Sequence, residues 1–126
     1  MPTWTNGELA AVGNAEELEI ASRRTDGSLR PYVTIWGVRV DEHIYVRSAA
    51  EPDNPWFRQA VASGEGRIRA GGVERVVAFE APAPDVAVSI TAAYHAKYDR
   101  YGPRIVGTVV SPEAVASTWP LVPRAG

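Results

Sequence analysis

The sequence predicts a mainly antiparallel β protein of the α+β class, a small barrel of about six strands flanked by two or three helices. Short runs in which apolar and polar residues alternate, such as "ELEIASRR", carry the period of two that marks a half-buried strand. Tight-turn pairs, Asp26-Gly27, Asp41-Glu42 and Gly71-Gly72, separate those runs and close hairpins. Strands and helices do not alternate regularly, which disfavours a doubly wound parallel sheet.

Taken in order, Thr5 and Glu8 form a Thr-x-x-Glu capping box ahead of Leu9 and Val12, with Gly13 as a stop, so a short helix is expected over about 5–12. Leu18, Ile20 and Ser22 alternate against Glu19, Ala21 and Arg23, and "TDGS" then turns the chain. "RPYVTIWGVRVDEHIYVRS" supplies two more strands, with Val38 and Val40 on the first, Ile44 and Val46 on the second, and Asp41-Glu42 between them. Asp53 or Asn54 can cap a helix over 55–63 that carries Pro55 at its first position and ends at Gly64. Trp56, Phe57, Ala60 and Val61 share one face of that helix. "GRIRAGGVERVVAFEA" reads as a further hairpin. A helix near 85–101 presents Val86, Ile90, Ala93, Tyr94 and Tyr101 at helical spacing and breaks at Gly102-Pro103. The remaining tail is expected to hold a strand, a short helical turn and a last strand near 118–122.

The chain has 126 residues, which fits one domain spanning 1–126, with 45% hydrophobic and 22% charged residues, ordinary for a globular protein. The net charge of −2 gives no general drive toward nucleic acid. There are no cysteines, which removes disulfides, thiolate catalysis and thiolate metal sites, and with only two histidines no metal site is expected. "MPTWTNGELAAVG" lacks the basic start and apolar stretch of a secretion signal, and no apolar run is long enough for a membrane span, so a cytoplasmic protein without a membrane partner is expected.

Three groups of residues are candidates for chemistry. The first is the strand end at Arg47 and Ser48, just before the 55–63 helix. A guanidinium, a hydroxyl and the free N–H groups of a helix start can together hold a phosphate. A solvated rim position is the plain alternative for Arg47, and Arg67 and Arg69 on the next strand could reach the same region. The second is Thr34, Trp36 and Tyr45, which could form a wall for a flat ring or simply fill the core. The third is "AYHAKYDRY", where Tyr94, Tyr98 and Tyr101 fall on one helix face beside Lys97 and Arg100. Tyr98 could donate a proton if Lys97 lowered its pKa, with Tyr94 alongside. A buried stripe in the core or at a dimer interface explains the same spacing. His95 is expected to be exposed. No Ser-His-Asp arrangement, carboxylate pair or dinucleotide fingerprint is present.

With those residues in view, the chain resembles a small bacterial family within the FMN-binding split-barrel superfamily, alongside pyridoxamine phosphate oxidase-like proteins and deazaflavin-dependent nitroreductases. The resemblance rests on "WTNGELAAVG", "ELEIASRRTDGSLRPYVTIWGVRV", "IYVRSA", "WFRQAVASGEGRIRAGGVER", "AAYHAKYDRYG" and "STWPLVPR", from Trp4 to Arg124. It implies a six-stranded split barrel, a homodimer with cofactor sites between subunits, and FMN or a deazaflavin as cofactor in a small-molecule oxidoreductase. It also implies that Arg47 and Ser48 hold the cofactor's phosphate with Trp56 nearby, and that Thr34, Ile35 and Trp36 face the ring. "AAEPD" stands where deazaflavin relatives carry a glycine-rich "SxGG", and "RRTDGSLRP" where they carry "GRxSGxxR". A cofactor-free cyclase or isomerase using Tyr94, Tyr98 and Lys97, or a small-ligand binder that has lost the flavin, is the alternative expectation.

Overall fold

The computed structural model describes residues 4–47, 55–79, 87–110 and 118–124. Thr5 caps the first helix, α1 (Asn6–Asn14), through the reciprocal box with Glu8 that the sequence announces. The next elements are β1 (Leu18–Ser22), β2 (Val33–Ile35), β3 (Gly37–Val40), β4 (His43–Arg47), α2 (Pro55–Ser63), β5 (Glu65–Ala70) and β6 (Val73–Phe79). After them come α3 (Ala87–Tyr98), a 3-10 turn at Asp99–Tyr101, α4 (Pro103–Val110) and β7 (Thr118–Pro123).

Every strand pair is antiparallel, and the order across the sheet is β2-β1-β5-β6-β7-β4-β3. The two edges, β2 and β3, are consecutive in the chain and separated only by Trp36. The sheet therefore curls into a barrel that is almost closed, with its open seam at Trp36. The seven strands among the described residues exceed the expected six because the backbone leaves one edge and joins the other at that residue, dividing "VTIWGVRV" in two.

The hairpin turns sit where their residues require. Gly71 and Gly72 both have positive φ (56° and 83°), the geometry that a two-residue turn between β5 and β6 demands. Asp41, at φ 54°, serves the β3–β4 turn, a position that aspartate tolerates.

The tail differs from expectation. "PRIVGTVV" is a helix, not a strand. Pro103 opens it, and the buried Val106 and Val109 recur three apart against α3, so packing overrides the β preference of the valines. The expected short helical turn that follows falls outside the described residues.

Two apolar clusters result. One fills the barrel with Leu9, Ile20, Ile44, Ile68, Val77 and Leu121, closed by α1 and α2. The other lies outside it, where Val38 and Tyr45 meet Ile90, Tyr94 and Tyr98 of α3 and Val106 and Val109 of α4. No helix among the described residues is long and apolar enough to cross a membrane.

Candidate functional site

At the open seam lies a cleft of about 370 Å³. One side is the edge strand β2 with Val33, Thr34 and Ile35, continued by Trp36. Trp56 of α2 and Ile105, Thr108 and Val109 of α4 line the rest, and Arg47 reaches it from β4. The walls are mostly apolar, and their rims are exposed at Val33 (38%) and Ile105 (49%).

Arg47 is 1% exposed, so it is neither a solvated strand end nor a free rim cation. Its Nε donates to Thr118 Oγ1 at 2.8 Å, Nη1 to the Val109 carbonyl at 2.9 Å and Nη2 to the Ala87 carbonyl at 3.1 Å. The Val109 carbonyl belongs to the last turn of α4, where the helix itself offers no donor, so the guanidinium acts as its cap. The Tyr94 ring lies 5.3 Å from the guanidinium carbon. Burial pulls the pKa of Arg47 below its ordinary value, but a guanidinium starts so high that it stays charged. No carboxylate pairs with it among the described residues. A buried cation at a mostly apolar cleft is thus held, among the described residues, by neutral oxygens and a ring, with no carboxylate beside it.

Of the other cofactor-facing residues named from sequence, Thr34, Trp36 and Trp56 all reach this cleft, and Ser48 lies outside the described residues. Trp36 does two jobs. Its ring stacks on Tyr98 with centroids 3.9 Å apart and planes 7° from parallel, while it also lines the cleft. Tyr45 is buried in the outer cluster instead. Arg67 and Arg69 stay on the outside of β5. Arg69 pairs with Glu19 at 3.3 Å and lies over the Tyr32 ring at 3.8 Å. Sequence reasoning missed Ile105, Thr108 and Val109 because it read their segment as a strand; the three-residue spacing of Val106 and Val109 was the available signal.

Tyr94, Lys97 and Tyr98 do not line the cleft. Their polar atoms point at main-chain carbonyls around the seam: Tyr94 Oη donates to Trp36 O at 3.2 Å, Lys97 Nζ to Gly37 O at 2.7 Å, and Tyr98 Oη to Glu16 O at 2.9 Å and Gly37 O at 3.2 Å. The Trp36 and Gly37 carbonyls stand where the chain passes from one sheet edge to the other, so the stripe holds the seam residues in place. Contrary to expectation, Tyr98 is not acidified. Burial, the larger influence, pushes its hydroxyl well above the ordinary range, and the same holds for Tyr94. His95 is exposed, as expected, with Nδ1 2.8 Å from Asp99 Oδ1.

Burial lowers the Lys97 ammonium from 10.5 to about 8. The unfolded chain then binds a proton more tightly than the folded one between those values, so stability rises with pH from about 8. Above pH ~10 the raised tyrosines reverse the trend, because the unfolded chain ionises first. Denaturation midpoints followed from about pH 7 to about pH 11 should therefore peak near pH ~10. Lys97→Met should remove the rising limb and keep the falling one. A parent profile flat from pH ~8 to ~10 would contradict this account.

The fold is the split-barrel class, seen in solved structures that overlay nearly the whole chain. An F420 reductase matches with TM-score 0.64 and 16% identity, covering 96% of both chains. HutZ, the heme storage protein from Vibrio cholerae, matches with TM-score 0.64 and 11% identity, covering 99% of this chain and 93% of HutZ. An FAD-binding protein from Mesorhizobium loti matches with TM-score 0.54 and 15% identity, covering 98% of this chain and 93% of its own. At such identities the likeness establishes the fold. No curated protein matches the sequence. The chain belongs to the bacterial family described as "Uncharacterized protein conserved in bacteria (DUF2255)", whose model matches residues 8–121.

Proposed function

We propose that this protein binds a flavin or deazaflavin in the seam cleft and acts on a small molecule as an oxidoreductase. The observation that carries the reading is the buried charge of Arg47, without a carboxylate partner among the described residues, at a mostly apolar cleft walled by two tryptophans and an exposed strand edge. The residues present suit a flat, electron-accepting ring. Thr34, Ile35 and Trp36 would lie along one side and Trp56 across from them, while α4 excludes water. The charge of Arg47 favours electron density arriving on whatever lies over it. Because its three nitrogens already serve Thr118, Val109 and Ala87, its part is that of a fixed positive charge more than of a flexible phosphate clamp. Bound there, the cofactor supplies the hydride chemistry, and the chain supplies orientation and dryness.

Neighbours in fold whose names include an F420 reductase and an FAD-binding protein support the same choice of ligand class. The apolar rims at Val33 and Ile105 favour completion of the cleft by a second copy of the chain, giving a homodimer.

Titration of the purified protein with FMN and with a deazaflavin should show saturable binding, read as a shift of the visible absorption band and quenched fluorescence. Thr34→Trp, placed on the exposed cleft edge, should abolish it while leaving the thermal midpoint near that of the parent. A folded protein that binds neither ring would overturn the proposal.

A further inference from the structure

A second cleft, sharing no lining residue with the first, lies between the β1–β2 hairpin and one face of α2. Its volume is about 650 Å³, ample for a small ligand. Among the described residues, four guanidiniums line it, Arg23, Arg24 and Arg30 from the hairpin and Arg58 from α2, against one carboxylate, Glu65. On a chain whose net charge is −2, this is a concentrated positive spot.

The local structure fixes these cations. Arg23 Nη1 donates to Gly27 O at 2.9 Å, and Arg24 Nη1 to Leu29 O at 3.2 Å. Glu65 stands 3.9 Å from Arg23 Nε, a loose pairing. Asp26, on the same hairpin, is turned into it, where Oδ1 accepts from Ser28 N at 2.9 Å and Ser28 Oγ at 2.6 Å. Arg30 Nε is shielded from solvent and has no hydrogen-bond partner among the described residues. Arg58, exposed on α2, has no ion pair among the described residues. Like charges gathered this way repel one another, and an anionic ligand would relieve that repulsion.

We infer that this cleft is a binding site for a compact polyanion, a small molecule bearing two or more phosphate or carboxylate groups. The planar forks of arginine suit bidentate contacts to such oxygens, and hairpin guanidiniums already tethered to main-chain carbonyls lose little freedom on binding. Two sources share this chemistry. A small hollow lies between the two clefts, sharing Arg30 and Gln59 with the arginine cleft and Val33 and Trp56 with the seam cleft. The polyanion is therefore either the charged tail of the molecule in the seam or a separate ligand.

Inorganic pyrophosphate is the probe, followed by calorimetry and by phosphorus NMR on the full chain. Saturable binding is expected, weakening as salt rises from about 50 mM to about 200 mM, since the site is open to solvent. Arg24→Gln combined with Arg58→Gln should weaken it by about tenfold or more. Arg39→Gln combined with Arg104→Gln removes the same charge elsewhere and should leave binding near the parent value. Thermal midpoints confirm that both double variants are folded. Absence of saturable binding by the parent, or equal weakening in the two double variants, would overturn the inference. Repeating the titration with FMN or a deazaflavin present separates the sources: displacement of pyrophosphate identifies a shared tail site, and simultaneous binding identifies an independent ligand. Because pyrophosphate alone is the first probe, this site can stand even if the seam cleft binds no ring.

Discussion

Arg47→Ala is expected to cost the protein about 3–5 kcal/mol of folding stability, a large share of what a domain of this size possesses. The guanidinium ties together four elements that are distant in sequence: its own strand β4, the first residue of α3, the last turn of α4, and β7 through Thr118. Its removal strands the Val109 and Ala87 carbonyls without their bonds to Arg47 and opens a void beneath the cleft. Arg47→Lys keeps the charge but offers one nitrogen in place of a fork, so it should recover less than half of the loss. Urea denaturation of parent and variants measures this directly. An Arg47→Ala midpoint corresponding to less than ~1 kcal/mol of destabilisation would show that these bonds are dispensable, and with them the picture of Arg47 as the fixed charge of the site.

Gly66→Ala should be nearly as damaging, at about 3 kcal/mol or more, for a different reason. Gly66 sits within β5, opposite Ser22 of β1 and Val77 of β6. A methyl group there would stand 2.2 Å from the Ala21 carbonyl oxygen and 3.0 Å from Phe79 Cζ. The carbonyl is main chain inside a paired sheet and cannot swing aside, so β1 and β5 must separate. Since β1 also carries the edge strand β2, the cleft wall should shift with it, and any ring binding should weaken alongside the thermal midpoint. Gly107→Ala on α4 is the matched control. Its added methyl meets nothing within 4 Å, and a helical glycine exchanged for alanine should gain about 0.5–1 kcal/mol. Equal midpoints for Gly66→Ala and the parent would refute the close approach of β1 to β5.

The elements most legible in the sequence were those written by local rules. The Thr5–Glu8 box, the Gly71-Gly72 turn, the Asp41-Glu42 turn and the Pro55 helix start all stand where their residues place them. Each depends on a hydrogen bond or a backbone angle a few residues wide. The segment 103–110 was misread for the same reason. Its valines favour a strand locally, and only burial of Val106 and Val109 against the helix before it makes the helical form the better one. Among the candidate site residues, Thr34 and Trp36 were named as a wall for a flat ring and Trp56 came through the family resemblance, and all three line the seam cleft. The fate of the tyrosine stripe was not visible. Helical spacing showed that Tyr94 and Tyr98 share a face but not that this face meets the carbonyls of Trp36 and Gly37.

By itself, then, the sequence determined most of the strands and helices, though not α4 or the break at Trp36, together with the hairpin turns, the absence of thiol chemistry and the family's barrel, since these follow from composition, period and short-range geometry. Tertiary structure alone decided that Arg47 turns inward to bind carbonyls from α3 and α4, that the barrel opens at Trp36, and that four arginines converge beside α2. Those outcomes depend on which distant groups closure of the sheet brings within a few ångströms of one another, and no local pattern encodes that distance.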